Sequence, residues 1–138
     1  MSGSLSNIPW RRVLGAALAV IALSFLVPIL VTTVYAFSLA FQARGAPDQA
    51  SINHFAARIT PQLMPWLEML FTLLMAFRIA RKTAGAAILS GLTVGVLAGL
   101  FSLALTLAFG GHPGGSAVLA LLTTTALGCL GGFLATKR

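Results

Sequence analysis

Four apolar stretches run along the chain, at 13–41, 61–80, 84–109 and 116–135, separated by shorter polar or glycine-rich breaks. Glu68 and Arg78 interrupt the second stretch; the other three carry no charged residue. About 20 apolar residues suffice to cross the ~30 Å hydrocarbon core of a bilayer. Each stretch therefore predicts one membrane-spanning helix, and residues 1–138 read as one transmembrane domain, an all-α integral membrane four-helix bundle. The first stretch is longer than a crossing needs. Pro28 near its middle brings no backbone N–H, which predicts a kink that uses the extra length. Arg11, Arg12 and the small residues Ala40 and Ala43 also fit the outline of a signal peptide. Against that reading, the run far exceeds the usual signal core of about 7–15 residues and three more spans follow it.

The break from Gln42 to Thr60 contains Arg44, Gly45, Pro47 and Asp48. Within it Ile52, Phe55, Ala56 and Ile59 recur at helical spacing while Asn53, His54 and Arg58 fall elsewhere. Ser51 is suited to cap such a segment and Pro61 to stop it. The expectation is a short amphipathic helix between helices 1 and 2, seated in the outer interface among headgroups or packed on top of the bundle. Between the third and fourth stretches, Gly110, Gly111, His112, Pro113, Gly114 and Gly115 predict a turn.

The charges orient these spans. Arg11 and Arg12 precede the first, Arg78 near the end of the second separates it, with Arg81 and Lys82, from the third, and Lys137 and Arg138 follow the fourth; Arg44 and Arg58 fall on the other side. Basic flanks are retained in the cytoplasm, so both termini are expected there. The wealth of Ala, Leu and Gly, with Arg favoured over Lys, suits a multi-pass protein of a bacterial cytoplasmic membrane. With 58% hydrophobic and 8% charged residues, the chain lies far from the soluble average of about a quarter charged. A net charge of +7 would point to nucleic acid in a soluble protein. Here the basic residues cap apolar runs without interleaved aromatics, so the expected partner is the lipid bilayer and not nucleic acid.

Helices in lipid associate closely where small residues let backbones meet. The third span carries Ala87, Gly91, Gly95 and Gly99 at intervals of four, and the fourth carries Ala120, Thr124, Gly128 and Gly132. Two matched stripes on consecutive spans predict an antiparallel seam within the chain. The same stripes could serve a homo-oligomer or a larger membrane-protein partner.

Little chemistry is available. Cys129 is the single cysteine, inside the last span, and the chain has two His and only two acidic residues, Asp48 and Glu68. No enzyme, cofactor or metal centre is expected, since Asp48, His54, Glu68 and His112 come from separate segments without ligand spacing. Glu68 stands out as the one acid inside a span, where a charged group is by default a functional candidate. It has two readings: an interfacial carboxylate paired with Arg58, Arg44 or His54, or a cation-coupling site with Thr72 one turn deeper. Thr123, Thr124 and Thr125, with Thr32 and Thr33, add hydroxyls that line a polar path or bond back to their own helices. The leading expectation is a non-enzymatic accessory or structural component acting through helix packing. The alternative is a small oligomeric transporter or channel with Glu68 as its ion-coupling residue.

Overall fold

The computed structural model describes residues 8–83, 85–108 and 115–137. The expected turn at Gly110 to Gly114, with His112, lies outside these residues. Four helices account for most of the rest: α1 (Trp10–Ala43), α2 (Gln49–Ala80), α3 (Ala87–Ala108) and α4 (Gly115–Thr136). Each is long and apolar enough to cross a membrane, as expected of a multi-pass membrane protein.

Successive helices run in opposite directions, so the start of α1 and the end of α4 lie at the same end of the bundle. The tightest pairing is α3 with α4, where glycine backbones meet. A Cβ placed on Gly91 would lie 2.5 Å from the Gly128 carbonyl oxygen, and one on Gly128 would lie 2.5 Å from that of Gly91. A Cβ on Gly132 would fall 2.8 Å from Ile88 Cα, and one on Gly99 would fall 2.7 Å from Thr124 Oγ1. The glycines of both stripes therefore meet within the chain. The outermost member of the α4 stripe, Ala120, departs from this pattern and lines a cleft. Helix α2 approaches α4 through Gly131, which the four-residue stripes omit: a Cβ there would lie 2.9 Å from the Leu73 carbonyl oxygen and 2.9 Å from Ala76 Cβ.

At the termini end the bundle is filled by small and β-branched side chains. Val13, Ala17, Val20, Ala76, Val94 and Ala98 are all 2% exposed or less. Arg81 lies over the Phe77 ring at 5.6 Å and Lys137 over Phe133 at 4.9 Å, so two basic residues of this end rest on aromatic faces.

Two expectations need correction. First, α2 has no break at Pro61. It runs continuously through Pro61 and Pro65, and the amphipathic segment is its first third instead of a separate helix. A proline removes one helical hydrogen bond but its φ is already helical, and here packing against α1 holds the segment in place. Ile52, Phe55, Ala56 and Ile59 are half-buried, whereas Asn53, His54 and Arg58 are exposed. The apolar stripe is real, but α1 covers part of it: Tyr35 stacks on Phe55 with ring centroids 3.9 Å apart and planes 14° from parallel. Helix α1 likewise continues through Pro28.

Second, the cap of α2 is Asp48 and not Ser51. Ser51 Oγ donates to Asp48 Oδ2 at 2.7 Å, the amide of Ala50 to Oδ1 at 3.1 Å and the amide of Ser51 to Oδ2 at 3.1 Å. The Ser51 hydroxyl first, and then these amides, hold the Asp48 carboxyl below the usual carboxylate range. A depressed pKa means that the cap is at full strength above the ordinary aspartate value, about 3.9, and weakens as pH falls through the depressed one. Amide protection of the first turn of α2, followed by hydrogen exchange, is expected to hold at neutral pH and to fall in acid. Asp48→Ala should show the low protection at every pH, and protection unchanged by that substitution would refute the cap.

Helices α1 and α2, with 34 and 32 residues, are roughly 50 Å long, whereas α3 and α4, with 22 each, are about 33 Å. The α1–α2 hairpin therefore outreaches the α3–α4 pair at the end opposite the termini. Beyond Pro28, α1 buries no residue.

Candidate functional site

A cleft of about 440 Å³ opens in the half of the bundle opposite the termini, between α2, α3 and α4. Helix α2 contributes Glu68 with Pro61, Met64, Pro65 and Met69. Helix α3 contributes Gly99, Ser102, Leu103 and Thr106, and α4 completes the wall with Ala117, Leu119, Ala120, Thr123 and Thr124. Most of this lining is apolar.

Glu68 is half-buried, and its described side-chain partner is Ser102, whose hydroxyl donates to Oε1 at 3.0 Å across the α2–α3 interface. The other hydroxyls of the cleft are turned to their own helices. Thr106 Oγ1 donates to the Ser102 carbonyl at 2.9 Å, Thr123 Oγ1 to the Leu119 carbonyl at 2.9 Å and Thr124 Oγ1 to the Ala120 carbonyl at 2.9 Å. A hydroxyl has one proton and two lone pairs, so these groups keep acceptor capacity after their protons are committed. The proline pair adds to this. Pro65 has no N–H to give to the carbonyl four residues back, so the Pro61 carbonyl lacks its helical donor.

The expected site residues divide between three places. Glu68 lines the cleft. Thr72, one turn deeper, is fully buried beneath it, and its hydroxyl has no hydrogen-bond partner among the described residues. His54 and Arg58 line a separate depression near the tip of the α1–α2 hairpin, with Tyr35 and Asp48. Arg58 is ten residues from Glu68 on the same helix, a rise of about 15 Å. The ion pair expected between them is not among the described contacts. Helix continuity is the reason: with α2 unbroken at Pro61, Arg58 is carried outward along the axis instead of folding back over Glu68.

Ser102 and Thr106 went unrecognised in the sequence, although a signal was present. They continue the Gly91, Gly95, Gly99 face at helical spacing, changing from glycine to hydroxyl where the backbones diverge. Inward of the cleft, α2 carries Thr72 and Ala76 and α3 carries Ala98 and Val94, all at most 2% exposed. The cleft is therefore closed toward the termini end. Among the described residues no group of three or more His, Cys, Asp or Glu could hold a metal ion.

Chemically, the arrangement offers a carboxylate and oxygen lone pairs in a partly apolar recess that is closed toward the termini end. Such a recess can hold a positively charged group by hydrogen bonding and charge neutralisation. Comparison with protein-family models, with characterised proteins and with solved structures finds no match to this chain.

Proposed function

We propose that this chain is a small, non-enzymatic cation transporter of a bacterial cytoplasmic membrane, with both termini in the cytosol and the Glu68 cleft facing the outer side. The orientation follows from Arg11, Arg12, Arg78, Arg81, Lys82, Lys137 and Arg138 clustering at one end of the spans, against Arg44 and Arg58 at the other. The observation that carries the function is Glu68 itself. It is a half-buried carboxylate inside a membrane span, with a hydroxyl and no basic side chain as its described partner. A carboxylate at such depth is neutralised by a proton or a bound cation, and the recess beside it has room for one. The packed layer inward of Thr72 supports a carrier that changes conformation over a continuously open pore.

The test is flux into liposomes reconstituted with purified protein. Wild type is expected to dissipate an imposed proton or cation gradient, and Glu68→Gln to lower that flux at least tenfold. No flux above empty vesicles would defeat the transport reading.

One observation favours a second reading, that of an accessory component. Ile29, Leu30, Val34, Phe37 and Phe41 on the far half of α1 are each more than half exposed. Such an apolar face suits either lipid or a larger membrane partner. The glycine stripes lend that reading less support, since Gly91, Gly95, Gly128 and Gly132 lie in the α3–α4 seam.

A further inference from the structure

We infer that the cation taken by the Glu68 cleft is an amphiphilic organic ammonium ion carrying N–H groups, and not a bare metal ion. The inference rests on the cation-binding reading above and narrows it to a substrate class.

Three observations converge on this class. The first is the direction of the hydrogen bonds. Ser102, Thr106, Thr123 and Thr124 each direct their hydroxyl proton at a protein oxygen. Among the described residues lining the cleft, none carries a side-chain N–H. Among the described side chains, what faces a ligand is one carboxylate and the lone pairs of these hydroxyls. Such side chains satisfy a group that only donates, as an ammonium does, and offer a carboxylate or phosphate no side-chain donor.

The second observation is the walls. Pro61, Met64, Pro65, Met69, Leu103 and Leu119 surround the polar groups with hydrocarbon and thioether, which rewards a ligand with an apolar body. Methionine side chains adapt to ligands of different outline. The third is size. A recess of about 440 Å³ falls in the range of small-molecule pockets, about 300–1,000 Å³. A hard metal ion instead requires several oxygens converging within about 2.6 Å, and here the hydroxyls come from α3 and α4 while the carboxylate comes from α2. A carboxylate at one side of an apolar recess matches a molecule with its charge at one end.

The test is calorimetric titration of the full chain in zwitterionic nanodiscs at neutral pH. The probes are 2-phenylethylammonium, methylammonium, benzyltrimethylammonium, benzoate and sodium. The expected order places 2-phenylethylammonium at least tenfold tighter than methylammonium, which lacks the apolar body, and at least tenfold tighter than benzyltrimethylammonium, which lacks N–H donors. Benzoate should give no binding heat. Glu68→Gln should weaken 2-phenylethylammonium at least tenfold. Ser102→Ala keeps the carboxylate and removes one wall oxygen, and should weaken it three- to tenfold without moving the unfolding temperature by more than a few degrees.

Equal binding to wild type and Glu68→Gln would mean partition into lipid and would overturn the inference. Glu68-dependent binding of sodium with none of 2-phenylethylammonium would overturn it too, while leaving cation binding intact. Absence of binding by every cation, joined to absence of flux, would remove both.

Discussion

Gly95→Leu is expected to disrupt the bundle, because the new side chain has nowhere to go. Its Cβ would collide with the Thr124 carbonyl oxygen and lie 3.1 Å from Gly128 Cα. Both neighbours are backbone, so relief requires α3 and α4 to separate along the seam. Overpacking of a close-packed interior typically costs about 1–3 kcal/mol, and a collision with backbone belongs at or above the top of that range. In detergent the variant should unfold at a markedly lower temperature or denaturant concentration than wild type. Gly15→Ala is the control. Gly15 is exposed on α1 with nothing within 4 Å of an added Cβ, so alanine there should stabilise by about 0.5–1 kcal/mol through helix propensity alone. Equal stability of Gly95→Leu and wild type would refute the seam.

Gly131→Leu should have the second largest effect, through a different pair of helices. A Cβ at Gly131 would meet Leu73 O, Ala76 Cβ and the Phe77 amide nitrogen within 3.0 Å, so a leucine pushes α2 from α4. The expected loss is again about 1–3 kcal/mol. It should come with faster hydrogen exchange around Phe77, because the displaced helix is the one that carries Glu68. Helix α2 packs on both α4 and α3. Retained protection at Phe77 in the variant would show that α2 is anchored elsewhere.

The helix count was legible because lipid imposes one requirement, that a crossing segment satisfy its own backbone, and apolar length reports it directly. The α3–α4 seam was legible for a related reason. Where apolar burial offers little between helices, small residues at a period of four mark the points of approach, and Gly91, Gly95, Gly128 and Gly132 were readable as such. Gly131 was not, since it falls one position away from the stripe and serves a third helix.

The continuity of α2 was hidden by Pro61. Proline in water-exposed sequence marks a helix end, yet inside a packed hairpin two prolines four apart are carried by contacts that no local rule contains. That one misreading also misplaced the candidate site. A break at Pro61 would allow His54 and Arg58 to fold back on Glu68, whereas a continuous helix takes them to the hairpin tip. Glu68 itself was recognisable as the single acid within a span. Its partner Ser102 was not, because the register between α2 and α3 is set by packing elsewhere in the core, where Ala76 and Val94 are buried together, and not by a local pattern near Glu68.

The most direct test of four crossings, with the cleft end outside and both termini inside, is site-directed labelling. In a Cys129→Ala background, Asn53→Cys on the exposed face of α2 and Thr136→Cys at the end of α4 are treated with a membrane-impermeant maleimide on intact cells whose outer membrane has been permeabilised. Position 53 should react at once and position 136 only after the cytoplasmic membrane is broken. Reaction of both before lysis, or of position 136 alone, would contradict the topology on which the outward-facing Glu68 cleft depends.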